Sequence, residues 1–220
     1  MPRNKKEDEE LVDVYDDSLI RVGVATRYEA HKKRSWHFNF NCWVVTHRRG
    51  GSVVFQVRSR VKATFPGLLD STVGGHYRAG ERSPDLVREV REEIGARVSS
   101  GDLIPLGRRV DVASYRGVSK REIAQVFLLP SDRPLARYRL DRSEIEGLVD
   151  VQIEEGLALF SGTRDSLEVR GIGWEESPGK WRGVDMRVGR ESFVPKMDSY
   201  YPTMLIMARR LLDGEGYLSI

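Results

Sequence analysis

The chain has 220 residues, 40% of them hydrophobic, which is enough apolar material for one sizeable core and indicates a globular protein. Its net charge of +3 is the small difference between 36 basic and 33 acidic residues, and because the two signs are interspersed the composition argues against a nucleic-acid partner. No run approaches the roughly 18 apolar residues of a membrane span, and the N-terminus lacks the apolar stretch of a secretory signal, so we expect a cytoplasmic protein with no membrane partner.

The N-terminal segment predicts a polar tail followed by a small hairpin. Residues 1–10 carry seven charges, and we expect them to form a flexible tail. Apolar residues within 11–14 and 19–24 flank the turn-forming Asp-Asp-Ser run at 16–18. This pattern is typical of a hairpin at the entrance of the domain.

The next apolar segments predict a second, central hairpin. Residues 36–45 alternate and are rich in aromatic and β-branched side chains, and residues 53–57 resume the pattern after the Gly50 and Gly51 pair. The single cysteine, Cys42, lies in the first of these strands. It has no partner for an internal disulfide, and we interpret it as a small buried hydrophobe rather than a nucleophile.

A helix from about Pro84 to Ile94 is the best-marked element of the chain. Ser83 can cap its N-terminus, Pro84 suits its first turn, and Gly95 can end it. The apolar stripe of this helix consists of Leu86, Val87, Val90 and Ile94.

The segments beyond this helix predict three strands and a short helix. The strands are expected at about 103–112, 123–129 and 148–153, and the helix near 154–160. Together with the preceding elements they indicate a mixed α/β domain.

The C-terminal part predicts a hairpin and a last helix. Residues 161–192 alternate charge and glycine around apolar positions, as expected of an appended hairpin, and residues 199–212 form an amphipathic helix that packs on the core. We expect residues 11–220 to be a single domain, with the hairpin as the main determinant of substrate choice. Trp174 and Trp181 either stack on a ring of the substrate or pin the hairpin to the domain.

Three carboxylates of the predicted helix share one face. Glu89 and Glu93 are one turn apart and Glu92 lies beside them. Like charges at this spacing are mildly unfavourable, and a divalent cation such as Mg²⁺ or Mn²⁺ would reverse the sign of that interaction. The alternative is a solvated face on which Arg88 and Glu92 form an exposed ion pair.

The segment around these acids resembles the signature of the Nudix hydrolases. That signature is a glycine, five residues, a glutamate, then an Arg-Glu pair, two further glutamates and a closing glycine. Its places are occupied here by Gly75, Glu81, Arg88, Glu89, Glu92, Glu93 and Gly95. Six residues, not the family's usual seven, separate Glu81 from Arg88, which leaves the role of Glu81 open.

The resemblance implies a fold, a metal and a reaction. The implied fold is a Nudix-like α/β/α sandwich with a mixed β-sheet, to which the C-terminal hairpin and helix are appended. The implied cofactor is Mg²⁺ or Mn²⁺, held by Glu89, Glu92, Glu93 and Gly75, and Arg88 is implied to bind substrate. The implied substrate is a small molecule that contains a diphosphate.

A wider resemblance covers most of residues 11–155 and points to the branch of the family that resembles isopentenyl diphosphate isomerase. Its motifs appear here as His31, His37, Phe65-Pro66-Gly67 and Gly75-His76. The resemblance implies ligands of an additional metal at these histidines, and it implies that Glu122 is both a ligand and a proton-transfer group. Arg58 and Lys62 match diphosphate-binding residues of that branch. Each of these side chains has an alternative as an ordinary surface or strand residue.

One position separates this sequence from the isomerase. The isomerase requires a cysteine directly before the glycine-histidine pair, and Gly74 stands there. The sequence therefore favours metal-dependent hydrolysis of a diphosphate linkage in a nucleoside-diphosphate-X or related compound, with catalytic roles for Glu89, Glu92, Glu93 and Glu122. The alternatives are a nucleotide-binding or regulatory module without turnover and, less favoured, the isomerase itself.

Overall fold

The computed structural model describes residues 9–115, 118–177 and 179–220. Residues 1–8 of the expected tail lie outside the described residues. Glu10, near the end of that tail, contacts the folded domain: its carbonyl accepts a hydrogen bond from the Arg27 backbone at 2.8 Å, and its carboxylate lies 3.5 Å from Arg78.

The N-terminal hairpin forms a small sheet of its own. Strands β1 (Leu11–Tyr15) and β2 (Arg21–Thr26) pair antiparallel. Helix α1 (Arg27–Lys33), which the sequence pattern does not predict, follows directly. A reciprocal pair of hydrogen bonds between Thr26 and Glu29 caps its first turn. His31 therefore lies on a helix.

The main sheet contains nine strands and is mixed. They are β3 (His37–Thr46), β4 (Ser52–Arg58), β5 (Leu69–Asp70), β6 (Val73–His76), β7 (Ile104–Tyr115), β8 (Val118–Pro130), β9 (Ile145–Gln152), β10 (Leu167–Glu175) and β11 (Lys180–Val188). The order is β11-β10-β9-β4-β3-β8-β7, with β5 beside β4 and β6 beside β3. β3 and β8 run parallel, and the other neighbouring pairs are antiparallel.

Helices cover both faces of this sheet. On one face α2 (Val87–Ile94) packs its apolar stripe against Phe40, Cys42 and Val44 of β3. On the other face α3 (Ile153–Ser161) and α4 (Tyr200–Leu212) pack against Trp43 and Val45 of the same strand. Successive side chains of a strand point to opposite faces, so β3 contributes to both cores. The result is the α/β/α arrangement expected from the sequence.

The two central strands diverge, and this opens the cleft described below. β3 and β4 pair at Val45 with Val53 and at Thr46 with Ser52, next to their connecting turn. Further along, β6 takes the place beside β3 and β5 takes the place beside β4. The sheet therefore splits in the middle.

Several elements differ in extent from the sequence expectation. The helix expected from Pro84 begins as a 3₁₀ turn, Ser83–Leu86, and α2 proper starts at Val87. Gly95 ends it in the left-handed conformation with a φ of 64°, as expected. The C-terminal hairpin, β10 and β11, pairs with β9 and so extends the main sheet. Within the described residues no helix has both the length and the apolar character needed to cross a membrane.

Candidate functional site

A cleft of about 720 Å³ lies where β3 and β4 diverge, a volume typical of small-molecule sites. Helix α2 supplies one wall, with Glu89, Glu92 and Glu93. Strands β6 and β8 supply His76 and Glu122, and helix α1 supplies His31. The fold therefore brings the helix glutamates, Glu122, His31 and His76 to one cavity, while His37 is fully buried and contacts Glu122 without lining the cavity.

Glu93 is the most deeply placed of the helix glutamates. It is 3% exposed, accepts a backbone hydrogen bond from Gly74, and has its Oε2 buried without a hydrogen-bond partner among the described residues. Burial and the nearby Glu144 carboxylate raise the pKa of Glu93 well above its usual value. A buried carboxylate oxygen without a partner is costly unless a cation or a proton occupies it.

Glu89 and Glu92 continue the wall outward. Burial raises the pKa of Glu89 to about 7, although the Arg88 guanidinium acts in the opposite direction. Glu92 is 44% exposed at the outer end. Three carboxylates facing one cavity, two of them desolvated, fit the hard oxygen ligand set that Mg²⁺ or Mn²⁺ prefers.

Arg88 lies behind this wall and not in the cleft. Its guanidinium is within 3.1 Å of Glu81, 2.8 Å of Glu89 and 2.9 Å of Glu92. These contacts support a positioning role for Arg88, and its expected role in substrate binding stays a prediction.

Glu81 reaches Arg88 despite the shortened spacing before it. Both of its carboxylate oxygens accept hydrogen bonds at 3.1 Å from that guanidinium. The 3₁₀ turn Ser83–Leu86 accounts for this, because it rises about 2.0 Å per residue against about 1.5 Å in an α-helix. Fewer residues then cover the same distance.

Gly75 lets α2 approach the sheet closely. A Cβ atom at this position would lie 2.8 Å from Cγ and Cδ of Glu89 and 3.0 Å from Cε1 of Phe40. Only glycine leaves room for the Glu89 side chain there. The expected role of the Gly75 backbone as a metal ligand is not tested by these contacts and stays a prediction.

Three histidines surround one oxygen of Glu122. The Nε2 atoms of His31 and His37 are each 3.5 Å from Glu122 Oε1, and that of His76 is 3.3 Å from it. The four ligand atoms all lie within 4.8 Å of one another. They come from α1, β3, β6 and β8, so the cluster exists only in the folded chain.

This histidine cluster fits a bound cation. His37 Nδ1 lies 3.1 Å from the carbonyl of Ser35, which assigns its proton to Nδ1 and leaves Nε2 as a lone pair facing the Glu122 carboxylate. The Nε2 atoms of His31 and His37 are buried without hydrogen-bond partners among the described residues. Burial lowers the pKa of His76 to about 3, so its ring is neutral and able to act as a ligand.

Glu122 is held ionised at the centre of this cluster. Burial alone would raise its pKa, but the Lys120 ammonium, 2.8 Å from Oε2, lowers it well below the usual value. Asn39 Nδ2 donates a further hydrogen bond to Oε2 at 2.5 Å. Both oxygens are thus engaged, which suits a ligand better than a mobile proton acceptor.

Arg58 and Lys62 both line the cleft, and their expected role in diphosphate binding stays a prediction. The Arg58 guanidinium holds the carbonyls of Thr64 and Phe65 at 2.8 to 3.2 Å, which anchors the Phe-Pro-Gly turn, and its Nη1 lies 3.7 Å from Asp70. Lys62 forms an ion pair with Glu144. Both cations therefore share the cavity with the glutamate wall.

The sequence analysis missed several residues of the cleft. Asn39, Asp70, Asp111, Lys120, Glu144 and Lys196 all line it. Their positions follow from strand pairing and from the path of the C-terminal segment. No local pattern distinguishes them from ordinary polar residues.

The hairpin tryptophans pack away from the cleft. Their rings contact each other at 5.3 Å, and the Arg142 guanidinium lies 3.9 Å over the ring of Trp174. Among the described residues none of the hairpin lines the cleft. This packing matches the alternative in which the tryptophans pin the hairpin to the domain.

Cys42 is fully buried, and burial raises its pKa to about 12. It packs with the apolar stripe of α2. The thiol is therefore an inert core residue, as expected from the sequence.

Known proteins resemble this chain at the levels of domain, sequence and fold. A profile of the NUDIX domain matches residues 36–165. An uncharacterised Nudix hydrolase of Clostridium acetobutylicum is 29% identical over 209 residues, which cover 94% of this chain and 98% of the relative. An isopentenyl-diphosphate Delta-isomerase of Mycolicibacterium vanbaalenii is 30% identical over 138 residues, covering 62% of this chain and 74% of that enzyme.

A solved structure agrees with the fold. The crystal structure of DR0079 from Deinococcus radiodurans superposes with a TM-score of 0.53 at 24% sequence identity, covering 70% of this chain and 90% of that chain. This likeness supports the fold alone. The domain profile spans more than half of the chain, and its match confirms the resemblance drawn from Gly75 to Gly95: the chain belongs to the Nudix hydrolase family.

Proposed function

We propose that the protein is a metal-dependent pyrophosphohydrolase that cleaves a diphosphate linkage in a nucleoside-diphosphate-X or related small molecule. One observation carries the proposal. Glu89, Glu92 and Glu93 face a cleft that Arg58 and Lys62 also line, and Oε2 of Glu93 is buried without a hydrogen-bond partner among the described residues.

Different residues of the cleft have different roles in this reaction. Glu89, Glu92 and Glu93 would hold Mg²⁺ or Mn²⁺, which when bound neutralises phosphate charge and acidifies a water. Arg58 and Lys62 orient the diphosphate and stabilise the charge that develops on it. A water oxygen attacks one phosphorus, the bond to the bridging oxygen breaks, and a helix glutamate takes the water's proton.

The histidine cluster has a separate role in this proposal. His31, His37, His76 and Glu122 would hold an additional divalent metal, for which three imidazoles and one carboxylate are a suitable donor set. Because both oxygens of Glu122 are engaged, we assign proton transfer to the helix glutamates and keep Glu122 as a ligand.

The isomerase alternative lacks its acid. Gly74 occupies the position of the required thiol, and Cys42 is buried in the core with a raised pKa. The binding-module alternative does not explain why the glutamate set is complete and faces the cleft. Hydrolysis therefore accounts for more of the site.

The test is a hydrolysis assay on purified protein. With Mg²⁺ or Mn²⁺ we expect phosphate-bearing products from at least one member of a panel of nucleoside-diphosphate-X compounds, nucleoside diphosphates and prenyl diphosphates, and no products with chelator. Incubation with isopentenyl diphosphate should give no dimethylallyl product. If nothing is hydrolysed while a diphosphate ligand still raises the melting temperature, the binding module replaces the hydrolase.

A further inference from the structure

One part of the cleft has no role in the proposed chemistry. It consists of Asn41, Gln56, Asp70, Ser71, Asp111 and Lys196, all of which line the cavity, and we refer to it as the polar recess. It begins beside Arg58, whose guanidinium lies 3.7 Å from Asp70, and so adjoins the proposed diphosphate site.

Lys196 reaches the recess from outside the domain that the family profile matches. It follows β11 in a segment that runs beside β5: Phe193 bridges to Leu69, and the Val194 amide donates to the Leu69 carbonyl at 2.9 Å. The NUDIX profile ends at residue 165. The C-terminal segment thus adds a cation to the cleft from the face of the sheet that α4 covers.

The Lys196 ammonium is buried yet not tightly paired. Its side chain is 7% exposed, and Nζ lies 3.5 Å from Asp70 and 3.8 Å from Asp111. Both distances exceed the roughly 2.7–2.9 Å of a good charge-assisted hydrogen bond. The ammonium N–H groups of Lys196 therefore remain able to donate hydrogen bonds to a ligand that lies between the Asp70 and Asp111 carboxylates.

The charges of the recess already balance. Asp70 faces Arg58 and Lys196, while Asp111 faces Lys120 at 2.9 Å and Arg109 at 3.4 Å as well as Lys196. Lys120 also pairs with Glu122 and Arg109 with Asp198, each at 2.8 Å, so four carboxylates offset four cations. A further anion would gain little from such a compensated cluster. Neutral groups that both donate and accept hydrogen bonds match it, and hydroxyls are of this kind.

The neutral residues of the recess also offer hydrogen bonds. Ser71 Oγ contacts Asn41 Oδ1 at 3.4 Å, and Gln56 stands opposite Asp70 in the strand register. Nearby, the residue Asn39 is 7% exposed, and its Oδ1 atom is buried without a hydrogen-bond partner among the described residues. It is a buried acceptor that a ligand donor would satisfy.

An apolar chain has little to contact in this cleft. Within the described part of the chain, its apolar lining side chains are Leu11, Phe40 and Ala79. Ala79 and Leu11 lie together, joined by a backbone hydrogen bond of 2.8 Å, and Phe40 is a core residue beside Gly75. A prenyl chain in the recess would exclude water from these charged and amide groups and offer no hydrogen bonds in its place, which is costly.

Resting on the proposed hydrolase function, we propose that Lys196 is a substrate-binding residue and that the polar recess binds a sugar or polyol attached to the diphosphate. The lysine ammonium donates to a hydroxyl of that group, and the Asp70 and Asp111 carboxylates accept from others. The C-terminal segment, not the tryptophan hairpin, then determines substrate choice.

The test compares matched ligands by calorimetry in Mg²⁺, using the Glu93→Gln variant so that nothing turns over. The pairs are UDP-glucose with UDP, ADP-ribose with ADP and CDP-glycerol with CDP, and isopentenyl diphosphate is the apolar probe. We expect at least one hydroxylated ligand to bind about tenfold tighter than its partner and tighter than isopentenyl diphosphate.

Adding Lys196→Met should erase that ratio and leave the affinity for the shorter ligand within about twofold. Gln56→Leu is a second variant in case Lys196→Met fails to fold, and Lys180→Met on the exposed hairpin is the matched control. The inference is overturned if no pair shows a ratio, if isopentenyl diphosphate binds tightest, or if the variants weaken both members of a pair equally. Failure of the hydrolase proposal is a different result: wild-type protein that turns over none of these ligands although the ratios are present.

Discussion

The cleft contains two candidate metal centres that the chain builds in opposite ways. The glutamate wall comes from five consecutive positions of a single helix, Glu89 to Glu93. The histidine cluster collects His31, His37, His76 and Glu122 from four elements, with β3 and β8 pairing His37 directly opposite Glu122. The first is marked by one local motif of the sequence, whereas the second is implied only by the wider family resemblance and is assembled by the completed fold.

The two centres also differ in their electrostatic state. In the glutamate wall burial raises the pKa of Glu89 and Glu93, so the folded chain resists their charge. In the histidine cluster burial would raise the pKa of Glu122, but the Lys120 ammonium lowers it, so the folded chain favours its charge. The wall therefore depends more on a cation to compensate it, as expected for a centre that binds substrate phosphates through metal.

The largest expected effect is that of Glu93→Gln. This change keeps the shape of the side chain and removes a buried ligand charge, so we expect turnover to fall by about 10³-fold. Initial rates with Mg²⁺ measure it, and Glu168→Gln on the exposed face of β10 is the matched control. Near-normal rates in the Glu93 variant would indicate that the reaction takes place at the histidine cluster and not at the glutamate wall.

The contrast explains how far the sequence predicts the site. The glutamate helix, its Gly95 stop and the central hairpin are local patterns, and the structure contains them. Helix α1 is short and polar with a capping box as its main signal, so periodicity does not reveal it. Lys120 and Lys196 come together at Asp111 through strand pairing and chain path, which a single sequence does not encode in any spacing.

A change in the histidine cluster should affect metal binding more than catalysis at the wall. His37→Gln removes one of four ligands, and we expect metal affinity at that cluster to fall by at least about 10–100-fold, with a smaller loss of turnover. Manganese titration should show two classes of site in wild type and one in the variant. His47→Gln is the control, because that histidine is 68% exposed and pairs with Asp132.

Metal should also stabilise the fold through this cluster, because its ligands tie four elements together. When the free metal concentration is about 100 times the dissociation constant, binding should raise the free energy of unfolding by about 2.7 kcal/mol. Thermal melts with and without Mn²⁺ measure it. If His37→Gln shows the same gain as wild type, the cluster is not a metal site and its histidines are structural.

The packing of the wall against the sheet gives a smaller expected effect. Gly75→Ala places a Cβ 2.8 Å from the Glu89 side chain, so Glu89 must move and turnover should fall by roughly tenfold. Gly74→Ala is the neighbouring control, since its nearest contact is Ser71 Oγ at 3.3 Å. Equal losses in both variants would show that the strand, not the glutamate position, is what matters.

The smallest expected effect is one of pH, and it has opposite signs at the two centres. Burial raises the folded pKa of Glu89 from 4.5 to about 7, so its contribution to the free energy of unfolding is fully present below 4.5 and is lost as pH rises through 7. Burial lowers the folded pKa of His76 from 6.5 to about 3, so its contribution is present above 6.5 and is lost as pH falls toward 3.

Between about pH 5 and pH 7 the two groups therefore oppose each other in the metal-free protein. With chelator present, the melting temperature of Glu89→Gln should rise more steeply with pH than that of wild type, and the melting temperature of His76→Gln should rise less steeply. The difference from wild type should reach a few degrees at most across about two pH units. Glu122 contributes little to this window, because its carboxyl is ionised in the folded chain and, above its ordinary pKa of 4.5, mostly ionised in the unfolded chain as well. Slopes that change in the same direction in both variants would contradict the electrostatic contrast between the wall and the cluster.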